Sequence, residues 1–295
     1  MEQAEGHPPL GGRVKPLFKE IEMGKFDGIL FCTDLDGTLL KNDKTISAQN
    51  KEAIEFFKRE GGLFTFVTGR MPYYSLEAYR AVAPNAPFGC VNGSGVYDGE
   101  ARQYVWTLEL QKSAMELVSC IDERVPGVGI QIVAFEKTFF LKENRTTEIF
   151  RRLTGVPNVT CTYDSLPSSI AKVVFCVERE EEIGAIEETL KAHPLALDFQ
   201  FVRSERMLCE ILPKGIHKGV ALAKLAEHLG IDKAKTIAIG DYDNDVGMLQ
   251  TAGLGIAVSN ASKAALAAAD LVTVSNEEHA LAKVIYDLYH GDIVL

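Results

Sequence analysis

The sequence predicts an α/β protein: a parallel-sheet core divided in two by an inserted α+β unit. Three observations carry that expectation. Towards both ends of the chain, short apolar runs of strand length alternate with stretches whose apolar residues recur at helical spacing. Each of those runs closes in polar, glycine-containing sequence, which gathers loops at one edge of the sheet. Between about Val96 and Arg206 strand-like runs continue but no longer end in glycine and acid.

The elements follow in order. Gly28 to Thr33 is an unbroken apolar run and reads as a buried strand. A helix comes next, from Ser47 to Arg59, with Ile54 and Phe57 on its apolar face, Ser47 as N-cap and Gly61-Gly62 as its stop. A second strand, Leu63 to Val67, leads into Thr68-Gly69-Arg70 and a helix from about Pro72 to Ala81. Phe88 to Val91 is a third strand, ending in the turn-like Asn92-Gly93-Ser94-Gly95. That order implies parallel strands joined by right-handed crossovers.

The middle of the chain reads as strands at Gln103–Leu108, Val128–Ala134, Thr138–Leu141, Ala171–Val177, Phe199–Arg203 and Met207–Leu212. Helices fall near Lys112–Arg124 and Glu180–Ala192, with a shorter one around Glu143–Leu153. We therefore expect an α+β insertion at 96–206, about 110 residues and so of single-domain size, between core segments 27–95 and 207–295. The core pattern then resumes. A helix spans Gly215 to Leu229, a strand Lys235 to Ile239, a helix runs to about Gln250, and a strand covers Leu254 to Val258. An alanine-rich helix near Ser262–Ala269, a strand at Leu271–Val274 and a last helix from about Asn276 to Tyr289 complete it.

Composition bounds the partners. With 295 residues, 46% of them hydrophobic, the chain has material for two domains, and its formal net charge of -10 argues against nucleic-acid or anionic-membrane partners. A small phosphorylated ligand is still allowed, because a few local cations neutralise one phosphate. The segment 1–26 is broken by charges, prolines and glycines and has no apolar h-region, so it reads as a poorly structured extension of a cytoplasmic protein. No run offers the roughly 18 apolar residues of a membrane span. The six cysteines are widely spaced and set mostly in apolar runs, as buried free thiols are.

Asp34-Leu35-Asp36-Gly37-Thr38-Leu39 follows the first strand directly. Residues two apart on extended backbone project to one side, so Asp34 and Asp36 can face one bound group, while Gly37 permits a tight turn and Thr38 brings a hydroxyl and backbone donors. Paired carboxylates beside a donor-rich turn suit a metal ion and a phosphate.

In these residues the chain resembles the haloacid dehalogenase superfamily of phosphohydrolases and, within it, the Cof-type subfamily with its large cap after the second motif. Asp34–Leu40 resembles that family's first motif, Thr68-Gly69-Arg70 its second, Lys218 before Gly219 its third, and Gly240-Asp241-Tyr242-Asp243-Asn244-Asp245 its fourth. The match covers nearly all the chain after residue 26, and four ordered motifs set it apart from chance agreement. Lys214 competes for the third motif, but the family's lysine stands immediately before a glycine that opens a helix, as Lys218 does.

The resemblance implies a Rossmann-like core with a C2-type cap and assigns roles residue by residue. Asp34 is the candidate nucleophile, forming an aspartyl phosphate, and Asp36 the acid and base. Mg²⁺ is the implied cofactor, held by Asp34, the Asp36 backbone carbonyl and Asp241, with Asp245 a further metal-shell or lysine-orienting carboxylate. Lys218 is the implied cation, and Leu35, Thr38, Thr68, Gly69 and Asn244 contribute neutral phosphate donors. Arg70 stands open between touching substrate and capping a surface helix, while Asp43, Asp243 and the histidines read as ordinary polar residues. Arg145, Glu205 and Arg206 are the cap's candidates for selectivity. One stretch departs from the pattern: Ser275 to Ala280 stands where relatives have an acid and a glycine before the final helix.

The expected activity is Mg²⁺-dependent hydrolysis of small, sugar-phosphate-like metabolites. A phosphomannomutase-like phosphomutase would share the aspartyl phosphate but return the phosphoryl group to a sugar. A non-catalytic phosphate-binding module would be expected to lack the nucleophile or the lysine, and both are present.

Overall fold

A computed structural model describes residues 24–295; the expected extension therefore lies outside the described residues up to residue 23. Its last residue belongs to the core instead: Phe26 is buried, its ring 4.6 Å from that of Phe57.

The chain runs β1 (Leu30–Thr33), α1 (Ala48–Arg59), β2 (Leu63–Phe66), α2 (Leu76–Val82), β3 (Phe88–Cys90), β4 (Gly95–Asp98) and β5 (Gln103–Thr107). It continues through α3 (Ala114–Arg124), β6 (Gly129–Ala134), β7 (Thr138–Lys142), α4 (Arg145–Thr154), β8 (Ile170–Cys176), α5 (Glu182–Ala192), β9 (Phe199–Glu205) and β10 (Leu208–Pro213). Then come α6 (Lys218–Leu229), β11 (Thr236–Gly240), α7 (Val246–Thr251), β12 (Leu254–Ala257), α8 (Lys263–Ala268), β13 (Leu271–Val272) and α9 (Ala280–His290).

The core sheet has the order β13-β12-β11-β1-β2 and every pairing is parallel. Strands β1, β11 and β12 are buried on both faces, as their continuous apolar runs require, whereas the edge strand β13 is exposed. Phe31, Ile237 and Ile239 share one cluster with Phe57 of α1 and Val284 and Ile285 of α9. Leu30, Cys32 and Ala238, one residue out of phase, pack with Leu222 and Leu225 of α6 and Met248 of α7. Strand order reverses between β1 and β11, since the chain leaves β1 towards β2 but β11 towards β12. The crevice beyond the carboxyl ends of such a pair is where an open α/β sheet binds ligands.

The inserted sheet is antiparallel, in the order β7-β6-β8-β10-β9, and β3-β4-β5 form a small antiparallel sheet. Sheet membership thus differs from the expected limits of 96 and 206. Only Arg206 and Met207 separate β9 from β10, and so short a link imposes antiparallel pairing. A boundary at 206/207 cuts that hairpin. At the other end β4 pairs back onto β3 after a four-residue turn and β5 onto β4, so Gly95–Thr107 belongs with β3 and not with the inserted sheet.

Helix ends follow local chemistry. The Ser47 hydroxyl accepts from Asn50 N, as expected of an N-cap. The helix placed from Gly215 begins at Lys218, because Gly215 takes a left-handed φ of 72° and His217 supplies the cap. The last helix is broken at His279, whose φ of 62° separates a short 3-10 turn, Asn276–Glu278, from α9. Five cysteines are buried and Cys120 is half-buried, all unpaired. Among the described residues no helix is long and apolar enough to cross a membrane.

Candidate active site

Asp34 is the first residue beyond β1, and its N–H donates to Ile239 O of β11 at 2.9 Å, which fixes it at the crevice between the two strands. Asp241 is the first residue beyond β11, so the two carboxylates meet at the reversal of strand order. Lys218 opens α6, and its Nζ lies 2.6 Å from Asp34 Oδ1 and 2.6 Å from Asp245 Oδ1. Carboxylate oxygens of Asp34, Asp241 and Asp245 lie within 4.8 Å of one another.

Asp245 is fully buried and its second oxygen accepts from Asp241 N and Tyr242 N, both at 3.0 Å. With its oxygens so committed, it orients the lysine and closes the turn that presents Asp241. Gly37 has a left-handed φ of 84°, and a Cβ there would run into the Asp241 carboxylate, so glycine at that position suits both the turn and the close approach of the first and fourth motifs. The Thr38 hydroxyl donates to Asp241 Oδ1 at 2.8 Å.

Charge does not balance in this cluster: three carboxylates share one ammonium. Burial pushes the Asp34 carboxyl well above the carboxylate range, and the Asp245 and Asp241 charges add to it while Lys218 opposes. Burial and Asp245 raise Asp241 to about 6. Burial alone would discharge Lys218, but Asp245 and Asp34 outweigh it and hold the ammonium. Crowded, under-neutralised oxygen donors fit a hard divalent cation, which would relieve the repulsion and draw the protons off.

Asp36 lies outside this cluster. Its Oδ2 accepts from Arg70 Nε at 3.0 Å and its Oδ1 from Arg70 Nη2 at 2.7 Å and Lys44 Nζ at 2.9 Å. Burial favours its neutral form, yet Arg70 and Lys44 prevail and hold it below the usual range. Arg70 therefore takes a role between the two expected: it grips the second carboxylate. Thr68 is buried, and its hydroxyl accepts from Arg70 N at 3.2 Å. Lys214 is exposed while Lys218 is buried among the acids. Asp43 and Asp243 are exposed and satisfied by Thr45 and Ser262.

Of the three cap candidates, Arg206 is tied to Glu180 on the cap itself, and the Arg145 N–H binds Glu178. Glu205 feels the core: burial first, then the Asp36 charge, raises its carboxyl.

Four residues near the site escaped sequence reasoning: Lys44, Asn92, Lys172 and Glu210. Lys44 carried no signal. Asn92 belongs to a turn, as its sequence context predicts, but its side chain also accepts from Asn244 Nδ2 at 3.2 Å. Lys172 and Glu210 are the lone charges in apolar strands β8 and β10. One cation and one anion in otherwise apolar strands would have identified them as a pair.

Residues 31–285 match the model of the family described as haloacid dehalogenase-like hydrolase. The chain is 29% identical over 266 residues to the 5-amino-6-(5-phospho-D-ribitylamino)uracil phosphatase YitU of Bacillus subtilis, covering 88% of this chain and 97% of the relative. It is 27% identical over 271 residues to the pyridoxal phosphate phosphatase YbhA of Escherichia coli, covering 87% and 97%. A crystal structure of a haloacid dehalogenase-like hydrolase from Bacteroides thetaiotaomicron superposes with a TM-score of 0.76 at 23% identity, over 88% of this chain and 99% of the other.

Proposed function

The chain belongs to the haloacid dehalogenase-like hydrolase family, and on that premise we propose that it is a Mg²⁺-dependent phosphatase of small, sugar-phosphate-like metabolites, working through an aspartyl phosphate on Asp34. The observation that carries the reading is the Lys218 ammonium, 2.6 Å from both Asp34 and Asp245, with Asp241 beside them. A carboxylate oriented by a buried cation, with further acids to gather a metal ion, is what in-line phosphoryl transfer to protein requires.

In the first step Asp34 attacks phosphorus, the ester P–O bond breaks, and the leaving oxygen takes a proton from Asp36. In the second, Asp36 takes a proton from water, whose oxygen attacks phosphorus, breaks the bond to Asp34 and releases inorganic phosphate. Bound Mg²⁺, with Asp34, the Asp36 carbonyl and Asp241 as its protein ligands, would neutralise phosphoryl oxygens. Lys218 adds its charge to the transferring group. Leu35 and Gly69 N–H groups, Thr68 and the Asn244 amide offer neutral donors, and Thr38 adds its N–H, its hydroxyl being committed to Asp241. With Arg70 and Lys44 on it, Asp36 is set as a base; a phosphate dianion drawing Arg70 away would let it carry the proton that the first step needs.

Both relatives are named for small phosphorylated substrates, which supports that class here. Glu205, the cap carboxylate that feels Asp36, is the candidate contact for the leaving group. The unpaired thiols fit a reducing, cytoplasmic setting. The test is a panel of phosphorylated metabolites assayed with Mg²⁺ and with excess chelator. Metal-dependent release of phosphate from a subset is expected; full activity in chelator, or none on any ester, would contradict the proposal.

A further inference from the structure

Strands β8 and β10 bury one ion pair between them. Register sets Glu210 opposite Val174, so Lys172, two residues earlier on β8, is its diagonal neighbour on the same face. Lys172 Nζ donates to both Glu210 oxygens, at 2.8 and 2.9 Å, and to the Gly69 carbonyl of the core at 3.2 Å. Glu210 Oε2 also accepts from Asn92 Nδ2 at 2.9 Å, and Asn92 Oδ1 accepts from Asn244 Nδ2 at 3.2 Å.

This chain has a direction. A carboxylate beside an ammonium only accepts, so Asn92 must turn its NH₂ to Glu210 and its oxygen to Asn244. Asn244 must then commit one amide proton to Asn92, which orients its carboxamide and leaves one N–H for another acceptor. The same ammonium holds the Thr68–Arg70 turn through the Gly69 carbonyl. Among the described residues, this pair and the two made by Lys218 are the ion pairs with both side chains less than a tenth exposed. A buried pair stabilises less than apolar packing would, so joining two sheets does not by itself account for it.

We infer that Lys172, Glu210 and Asn92 are positioning residues through which the inserted sheet sets the orientation of Asn244 and of the Thr68-Gly69 turn. The neutral half of the phosphate cradle is then built by cap and core together. This rests on the phosphatase reading for the roles of Asn244 and Gly69.

The experiment is calorimetric titration of inorganic phosphate into the Mg²⁺-saturated full chain, with p-nitrophenyl phosphate turnover measured in parallel. The variants are Glu210→Gln, Asn244→Ala and the two combined. With glutamine at 210, Lys172 takes the amide oxygen and an NH₂ faces Asn92, which must flip and reverse the chain. Each single change is expected to weaken phosphate binding about tenfold, the scale of one hydrogen bond to a charged group. The combined variant should lose no more than the worse single one. Unchanged affinity in folded Glu210→Gln, or losses that add, would overturn the inference. Should Glu210→Gln fail to fold, Asn92→Gly keeps the ion pair whole, and glycine tolerates the φ of 52° there; the same pair of outcomes decides. A wild-type chain that neither binds phosphate nor hydrolyses the ester sinks the phosphatase reading and this inference with it. Wild-type binding that is lost in Asn244→Ala but intact in Glu210→Gln and Asn92→Gly removes the positioning role alone.

Discussion

Two buried polar clusters lie within reach of each other and are built on opposite terms. Around Lys218, three carboxylates share one ammonium; around Lys172, a single carboxylate shares one and the remaining valences are filled by amides and a carbonyl. The first is incomplete by charge and is raised in pKa accordingly. The second is complete and directional. Incomplete charge in a buried site is relieved by protons or by a bound cation, whereas a balanced network fixes what surrounds it.

The largest effect should come from the incomplete cluster. Asn in place of Asp34 keeps the shape but removes the proposed nucleophile, so steady-state hydrolysis should fall at least ~10³-fold with every ester. A loss of only a few-fold would give the cluster a structural role and erase the contrast.

Metal affinity is the next measure. Asp241, raised to about 6 in the metal-free chain, must be ionised to act as a ligand. Its proton competes increasingly as pH falls through that value, so Mg²⁺ binding by calorimetry should be about tenfold weaker at pH 5 than at pH 7.5. Asp241→Asn should weaken it at both pH values and flatten the dependence. Affinity that is level with pH in the wild type would mean that Asp241 is not a ligand.

The smallest effect belongs outside both clusters. His279, within the stretch that departs from the family pattern, holds a left-handed φ of 62°. Histidine tolerates that region better than most residues, so His279→Gly should stabilise the chain by only ~0.5 kcal/mol in thermal unfolding, with hydrolysis unchanged. A lower unfolding midpoint would show that the imidazole packing matters more than the backbone.

The same contrast explains what the sequence made legible. Asp34 stands at the end of an apolar strand beside a glycine turn and is legible from that alone, whereas Lys218, Asp241 and Asp245 are singled out by their resemblance to the family's third and fourth motifs. Lys172, Glu210 and Asn92 offer no such marks. Their partners are set by the β8–β10 register and by the docking of the inserted sheet on Gly69, neither of which is a local property. The hairpin β9–β10 illustrates the same limit: its strands are legible as apolar runs, but which sheet they join depends on a two-residue turn whose consequence is tertiary. Asp36 was placed as a partner of Asp34 from their two-residue spacing, yet Lys44 and Arg70 hold its carboxylate apart from the acidic cluster.

The proposed division of labour between Asp34 and Asp36 is most directly tested by rapid mixing of Asp36→Asn with p-nitrophenyl phosphate in Mg²⁺. Nitrophenol needs little protonation to leave, so transfer to Asp34 should proceed while hydrolysis of the aspartyl phosphate, lacking its base, lags. The expected result is a burst of nitrophenol approaching one equivalent per active site, then slow turnover with phosphate retained on the protein, and no burst with an alkyl phosphate. Steady turnover near the wild-type rate with both esters, and no protein-bound phosphate, would contradict the account.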